Sequence, residues 1–297
     1  MAHHTEVHTL RSACFALAAS LLIACMPADP SAEEDQDAAA GSAGSAGGGG
    51  NGTQDAAVDV VEELQSPEPL RLVSWNAHNV YDNISANCGS YCPYEETVSL
   101  SDYQEKVSDI AATLAKLAGD VVILQEVENP AVLDKIATSS ALSSLNYKHR
   151  HLEFGNDPRG INIALLSRYP VDSVISHKKD QFTQMDNPGE IYRYTRDALE
   201  IHMTYRGKHV VIFGVHFKAK LDPDDPEKRL AEAQHVRALA DNTLQNYPTA
   251  YVWILGDFND DEGTPPVNAV QKGRNGPNFV DAMMSLSAGD RYSYIYS

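Results

Sequence analysis

The chain has 297 residues, of which 43% are hydrophobic, and a formal net charge of −18. Residues 1–25 are neutral and residues 26–70 hold ten acidic and no basic side chains, which leaves −8 for residues 71–297. This last part is long enough for one large α/β domain. It lacks the strongly basic surface of a protein that grips nucleic acid through many phosphate contacts. A hydrolase is not excluded, because an enzyme needs turnover more than affinity.

The N-terminus is typical of a targeting segment. Arg11 precedes an apolar run at 13–24, which is too short to span a bilayer and has the length of a signal-peptide core. The sequence Leu-Ile-Ala-Cys at 22–25 resembles a bacterial lipobox, whose cysteine is acylated after cleavage. We predict that residues 1–25 are a lipoprotein signal peptide and that Cys25 is lipidated. An ordinary secretory signal with an unrelated cysteine is the alternative.

Residues 26–69 are rich in alanine, glycine and acid, and include four consecutive glycines at 47–50. Such a segment cannot bury apolar surface, and its like charges keep it extended. We predict a disordered tether between a membrane and the domain, so that the protein is exported and anchored at the bacterial cell envelope or outside the cell.

Two cysteines, Cys88 and Cys92, lie outside the signal segment. In an exported protein, a short-loop disulfide is the leading interpretation of this spacing. A zinc site needs two further ligands, and none is nearby in the sequence.

From residue 70 onward, apolar runs alternate with amphipathic stretches. Ser101 and Gln104 form a capping-box pattern that predicts a helix start, and Gly119 predicts its end. Arg206 and Gly207 separate two apolar runs in the manner of a hairpin. Strands are predicted at 70–75, 121–124, 161–166, 198–205, 208–213 and 251–255, and helices at 101–118, about 130–142 and around 230–239. Hairpins mixed with long crossovers indicate mixed sheets with helices outside.

Four of these strands end in polar side chains. Asn76, Glu126 and His216 each follow an apolar run, and the last run is followed by Asp257 and Asn259. Strand ends that meet at one rim commonly form a site, and these groups suit a hard divalent cation and a phosphate ester. Taken singly, each has an ordinary interpretation: a solvated strand end, turn-forming residues, or a buried histidine without a catalytic role.

In this order, the segments at 75–76, 124–127, 215–218 and 256–259 resemble the endonuclease/exonuclease/phosphatase superfamily, which shares the fold of pancreatic deoxyribonuclease. Segments 159–168 and 195–199 add to the resemblance, which is closest in motif to secreted bacterial nucleases. It covers residues 70–297. It implies an α/β fold, a four-layer sandwich of two mixed β-sheets flanked by helices.

The resemblance also implies residue roles. Glu126 and Asn76 are the metal ligands, for Mg²⁺ or alternatively Ca²⁺ or Mn²⁺. His216, Asp257 and Asn259 are catalytic: the histidine donates to the phosphate or acts as acid or base, and the other two orient the attacking water or a phosphate oxygen. The substrate-binding residues are Arg196, Asn162 and Lys218. The reaction implied is in-line hydrolysis of a phosphodiester without a covalent enzyme intermediate.

Two features depart from the family pattern. His78 stands where some members place a second metal carboxylate, which puts two-metal binding in doubt. The family ends with further Asp-His motifs, and nothing after Asn259 supplies them. We therefore expect a C-terminally truncated domain that lacks its last strands, with unpaired strand edges and with its own activity in doubt.

The leading functional prediction is an extracellular nuclease acting on DNA or RNA, with no stable protein partner implied. A group of basic residues could line a path for the nucleic-acid backbone, although a solvated helix face explains the same pattern: Lys218, Lys220, Lys228, Arg229 and Arg237. Two alternatives are a phosphatase or phosphodiesterase acting on inositol phosphates or phospholipids such as sphingomyelin, and a surface binding module without catalysis.

Overall fold

A computed structural model describes residues 21–25, 69–85, 92–221, 225–273 and 276–287, with the backbone alone for 21–25. The predicted tether up to residue 68, Cys88 and the side chain of Cys25 lie outside the described part. Within it, the strands are β1 Leu21–Cys25, β2 Leu72–Val80, β3 Val121–Val127, β4 His149–Leu152, β5 Asn162–Ser167, β6 Ser173–Ser176, β7 Ala198–Tyr205, β8 Lys208–His216, β9 Tyr251–Asp257 and β10 Val280–Asp281. The helices are α1 Leu100–Leu117, α2 Pro130–Ala137, α3 Pro226–Asn246 and α4 Pro265–Gln271.

The strands form two mixed sheets. Sheet A has the order β10-β1-β9-β8-β7-β6, and sheet B has the order β2-β3-β5-β4. In sheet A, β8 and β9 are parallel, and in sheet B, β2 and β3 are parallel. The remaining neighbours are antiparallel.

Three apolar cores hold four layers together. Helices α1 and α2 pack on the outer face of sheet B, where Val122 and Leu124 point, and α3 and α4 pack on the outer face of sheet A. Val121 and Ile123 point the other way, into a core between the sheets, as the two-residue period of a strand requires. A Cβ atom on Gly214 would lie 3.0 Å from Cγ2 of Ile123, so a glycine here lets the sheets approach closely. The predicted four-layer α/β sandwich is confirmed.

The ends of α1 differ from the sequence prediction. Ser99, not Ser101, caps the helix, because its Oγ accepts the Asp102 N–H at 3.1 Å. At the other end, Ala118 rather than Gly119 takes the left-handed conformation, with φ of 47°. Gly119 instead lies against Val73, whose Cγ2 would be 2.8 Å from an added Cβ. Close packing therefore explains this glycine.

Two further local predictions can be compared with the structure. The second predicted helix ends at Ala137, and a separate 3-10 turn at Ser140–Leu142 follows it. The predicted hairpin is confirmed: β7 and β8 pair directly, and Arg206 and Gly207 have φ of 49° and 74°. Two positive φ values in a two-residue loop match the right-handed twist of the flanking strands.

With residues 21–25 present, β9 does not have the unpaired edge that was expected of a truncated domain. Strand β1 pairs antiparallel with it from Leu21 to Cys25, and β10 pairs with the other side of β1. The physical reason is that an exposed row of backbone N–H and C=O groups accepts an extended apolar segment readily. Export and cleavage of residues 1–25 stay predictions. No helix in the described ranges has both the length and the apolar character needed to cross a membrane.

Candidate active site

Parallel pairing brings polar side chains from four strands to one rim of the sandwich. Glu126 lies near the end of β3, beside Asn76 of its parallel partner β2 in sheet B. His216 and Asp257 are the last residues of the parallel pair β8 and β9 in sheet A, and they are register partners. The rim therefore carries polar side chains from both sheets.

The side chains of these four residues converge on one point. Nδ2 of Asn76 donates to Oε1 of Glu126 at 3.1 Å and to Oδ2 of Asp257 at 2.8 Å. Nε2 of His216 lies 3.8 Å and 3.7 Å from the same two oxygens. The structure thus brings together residues that are up to 181 positions apart in the chain.

Backbone N–H groups hold the outer oxygens of the site. Oε2 of Glu126 accepts from Asn79 N at 2.8 Å, and Oδ1 of Asp257 accepts from Asn259 N at 2.8 Å. Oδ1 of Asn76 accepts from His78 N at 2.9 Å, which fixes the orientation of the amide. Each carboxylate is therefore anchored by one oxygen and turns the other toward the centre.

Much of the backbone around the site is left-handed. His78, Asn79, Glu126 and Asn259 have φ values of 57°, 51°, 65° and 49°. The pairing register of β3 with both neighbours also shifts across Glu126. Left-handed backbone at a glutamate costs about 1–2 kcal/mol, and such residues persist where the surrounding structure holds them and function needs them. The irregular backbone turns the Glu126 carboxylate into the centre.

His216 is buried and uncharged. Burial holds the pKa of its imidazole well below the ordinary value, and the positive charges of Arg196 and Arg159 lower it further. Only 2% of the residue is exposed. A neutral imidazole has one N–H donor and one acceptor nitrogen, so it can either donate to a phosphate oxygen or accept a proton.

Arg196 stands beside the histidine in a buried ion-pair cluster. Its Nε donates to Oδ2 of Asp157 at 2.7 Å, and one terminal nitrogen donates to the Phe217 carbonyl at 2.7 Å. Arg159 binds both oxygens of the same aspartate. Burial raises the pKa of the Asp157 carboxyl, but the two arginines and their hydrogen bonds outweigh it and keep the pKa below the usual value.

Asp157 and Arg159 were not assigned roles from the sequence. The only available signal was that Arg159 opens one of the supporting family matches. The ion pair of Asp157 with Arg196 joins residues that are 39 positions apart, and neither spacing nor periodicity in the sequence indicates it.

Two predicted substrate-binding residues lie outside the converging group. Nδ2 of Asn162 donates to the carbonyls of Glu128 and Gly160, and its Oδ1 accepts from Gly155 N. Nζ of Lys218 donates to the carbonyl of Ala219 at 2.9 Å. Both side chains organise loops in this structure, and their roles toward a substrate stay predictions.

The proposed basic track is wrong for two of its members. Arg229 and Arg237 are 3% and 2% exposed, and they pair with Asp260 and Asp241 at 2.8 Å. Arginines that are buried and paired in this way do not form the exposed basic track that was predicted along a nucleic-acid backbone. Lys220 is more exposed, but it also pairs with Asp260 and Asp261.

The donor set suits a hard divalent cation. Two carboxylate oxygens already face one point, and carboxylates with water are the ligands that Mg²⁺ prefers. Among the described residues, no three His, Cys, Asp or Glu side chains form a closed metal-binding group. In Mg²⁺ sites the protein commonly supplies one or two carboxylates and water completes the shell. The oxygen of Asn76 faces His78 N, so its role as a ligand stays a prediction, and His78 is exposed.

Cys92 is buried and disulfide-bonded. Its predicted partner, Cys88, is not among the described residues, so the pairing of these two cysteines stays a prediction. The carbonyl of Cys92 accepts from Glu95 N at 3.2 Å, and the nearby Tyr94 N donates to the Pro158 carbonyl at 3.1 Å. Cys92 therefore lies near the loop that carries Asp157 and Arg159.

The carboxylate, amide and imidazole groups on the rim of the two-sheet sandwich suit a divalent cation and a phosphate ester. The sequence profile of the Endonuclease/Exonuclease/phosphatase family matches residues 72–297. The chain belongs to this family. It is therefore a member of a family of phosphoesterases. No curated protein sequence matches the chain significantly.

Several solved structures resemble the chain at low identity. SmcL is 18% identical with a TM-score of 0.45, over 69% of this chain and 70% of that one. A mutant of beta toxin from Staphylococcus aureus with bound magnesium ions is 20% identical with a TM-score of 0.43, over 68% of each chain. ANGEL2, a 2′,3′-cyclic phosphatase, is 15% identical with a TM-score of 0.45, over 68% of this chain and 56% of that one.

Proposed function

We propose that the protein is an extracytoplasmic, divalent-metal-dependent nuclease that hydrolyses phosphodiester bonds of DNA or RNA. The observation that carries this proposal is the convergence of Glu126, Asp257, Asn76 and His216 at one rim, with Arg196 behind it. Membership of a phosphoesterase family supports the reaction class. The signal-like N-terminus and the acidic tether support the location, and Cys25 supports a lipid anchor.

The residues of the rim have complementary tasks in such a reaction. Glu126 and Asp257 would hold the cation, which when bound neutralises charge on the scissile phosphate. Arg196, fixed by Asp157 and the Phe217 carbonyl, supplies a planar donor group that suits a phosphate. Uncharged His216 is able to donate a hydrogen bond to a phosphate oxygen or to accept a proton from water. Asn259 donates its backbone N–H to Asp257 and so sets the direction of that carboxylate.

The test is a cleavage assay on the full 297-residue chain. Plasmid DNA and a structured RNA are incubated with Mg²⁺, Ca²⁺ or Mn²⁺, with a chelator as the metal-free control. We expect metal-dependent cleavage that Glu126→Gln abolishes. Glu105→Gln is the matched control, because Glu105 is exposed on α1. Failure to cleave either nucleic acid with any of the three metals would overturn the nuclease proposal.

One observation favours a second candidate, hydrolysis of a lipid-borne phosphodiester. Exposed apolar side chains lie on the loops that leave β2 and β8: Ile84 is 60%, Tyr94 69% and Leu221 64% exposed. Such residues suit a lipid surface better than a polar backbone. Release of phosphocholine from sphingomyelin vesicles, without cleavage of nucleic acid, would favour this candidate. If the chain is inert toward every phosphoester, the binding-module alternative is the one left.

A further inference from the structure

Glu232 is a fully buried carboxylate in the middle of α3. Its residue exposure is 0%. Oε1 accepts from both the backbone N–H and the hydroxyl of Thr195, at 2.6 Å and 2.7 Å. Oε2 accepts from Lys218 N at 2.6 Å. This buried helix residue thus joins two separate loops through three short hydrogen bonds.

The two loops adjoin Arg196 and His216, which act on the phosphate in the proposed reaction. Thr195 directly precedes Arg196, and Lys218 follows His216 by two residues. Arg196 donates to the Phe217 carbonyl at 2.7 Å, so the loops are also bonded to each other. The result is a closed ring of contacts that runs from Glu232 through Thr195, Arg196 and Phe217 to Lys218 and back.

Two further hydrogen bonds involve the backbone of Phe217. The Phe217 carbonyl also accepts from Nδ2 of Asn259 at 2.9 Å, and Phe217 N donates to the Asp257 carbonyl at 2.9 Å. A displacement of Lys218 would therefore be transmitted to Arg196, Asn259 and Asp257 together.

We propose that Glu232 is a positioning residue, which sets the distance between Arg196 and His216 by holding the backbone of Thr195 and Lys218. It contacts neither the metal-binding carboxylates nor the point on which they converge, so it acts through the other residues. This inference rests on the proposed phosphodiesterase reaction and adds a residue that supports it from the helix layer.

The role requires an ionised carboxylate. All three partners are donors toward Glu232, and a glutamine would turn its NH₂ group toward one of the backbone N–H groups. Burial raises the pKa of the Glu232 carboxyl, and the bonds from Thr195 and Lys218 lower it only in part. Lys228 on α3 and Tyr194 next to Thr195 are the other titratable groups that face it.

The activity test is a double-mutant cycle on the full chain. We expect Glu232→Gln to lower kcat/KM by about 10-fold to 100-fold, the scale of a small misplacement of catalytic groups. In an Arg196→Ala background the same change should cost only about 2-fold, because the group that Glu232 positions is gone. Equal losses in both backgrounds would mean general damage and would overturn the proposal. Glu227→Gln is the matched control, since Glu227 is exposed on the same helix.

A pH series adds a readout that a purely structural role would not change. As pH falls, wild-type Glu232 becomes protonated and resembles glutamine. The ratio of wild-type to Glu232→Gln activity should therefore fall toward 1, and other titrating groups cancel in this ratio. A ratio that is constant across the acid range contradicts the proposal.

A second measurement does not depend on activity. Amide hydrogen exchange should be faster at Thr195 and Lys218 in Glu232→Gln than in wild type, with unchanged exchange in the core strand β3. If wild type is inert but these amides are protected by Glu232, the nuclease proposal fails while the positioning role stands. If exchange at both amides is unchanged, the positioning role fails whatever the activity.

Discussion

Two histidine-containing regions of this molecule use the same residue types in opposite ways. At the rim, His216 lies near two carboxylates at 3.7–3.8 Å, and burial and the charges of two arginines hold the pKa of its imidazole well below the ordinary value. In the second region, directly after β6, His177 lies between Asp180 at 2.8 Å and Glu200 at 2.9 Å. Burial lowers the pKa of His177, but its two acidic partners outweigh burial and raise it.

The second region forms a continuous chain of paired groups. Glu200 also binds His202, which in turn contacts His209 at 3.0 Å. Burial raises the pKa of Glu200, but the hydrogen bonds from His177 and His202 lower it to about 2. We call this group, His177, Asp180, Glu200, His202 and His209, the histidine chain.

The rim and the histidine chain differ in whether their buried polar atoms have hydrogen-bond partners. Near the rim, the buried Tyr81 hydroxyl and Oδ1 of Asn79 have no hydrogen-bond partner among the described residues, whereas both ring nitrogens of His177 and of His202 are bonded. Unsatisfied groups and close carboxylates cost stability and are kept where a ligand completes them. We expect the rim to serve the proposed reaction and the histidine chain to serve stability.

Glu126→Gln should give the largest change in activity. We expect a loss of ~10³-fold or more in kcat, since the carboxylate is the best candidate to hold the cation. The melting temperature should stay the same or rise, because one of two converging charges is removed. Phosphodiester cleavage and thermal unfolding, measured on the same preparations, check both parts. A large drop in melting temperature would show that the rim stabilises the fold and would break the comparison.

His216→Asn should have the next largest effect. Removal of an acid–base or phosphate-donating imidazole lowers rates by about 10²–10⁴. The substitution keeps a polar group in a site with 2% exposure and should leave the circular dichroism spectrum unchanged. His209→Asn, in the histidine chain, is the matched control and should keep wild-type kcat. Equal activity of the two variants would show that His216 has no role in the reaction.

His177→Gln should affect stability and not the reaction. We expect the free energy of unfolding to fall by roughly 1–3 kcal/mol, because two partly buried carboxylates lose a charged partner. The folded-state pKa of His177 is raised, so its contribution is full below the ordinary pKa of 6.5 and is lost as pH rises through the folded value. The difference in denaturant stability between wild type and variant should therefore shrink as pH rises. A difference that grows with pH would contradict a charged His177.

Asp180→Asn should show the smallest effect in this series. The Asp180 side chain is 38% exposed, whereas that of Glu200 is 12% exposed. Solvent screens the more exposed pair, and such pairs contribute about 1 kcal/mol or less. Chemical denaturation at pH 6 measures the loss, with Asp109→Asn as a control because Asp109 is exposed on α1. A cost equal to that of His177→Gln would show that Asp180, not Glu200, holds the histidine.

The sequence was informative where one local pattern determines the structure. Continuous apolar runs identified β3, β5, β8 and β9, because a strand buried on both faces needs apolar residues throughout. The short edge strands β4 and β6 have the sequences HRHL and SVIS, which carry no such run. Their pairing comes from their neighbours in the sheets, and a single-chain pattern does not reveal it.

The same limit applies to the site. Asn76, Glu126, His216 and Asp257 were predicted together because each ends an apolar strand and the family motif orders them. Glu232 was not singled out, because one glutamate in a helix is usually a solvated charge. Its burial follows from the fold: two loops from sheet A cross over α3 at that turn and present N–H groups to it.

The rim is divided between the two sheets. Sheet B supplies Asn76 and Glu126, sheet A supplies His216 and Asp257, and the apolar core between the sheets joins the two halves. Neither sheet by itself contains all four side chains. Activity therefore depends on how the two sheets are docked. During denaturation, activity should be lost before the circular dichroism signal of strands and helices. Substitutions at Ile123 or Ile212, although remote from any substrate, would lower turnover because they allow the two sheets to shift relative to each other.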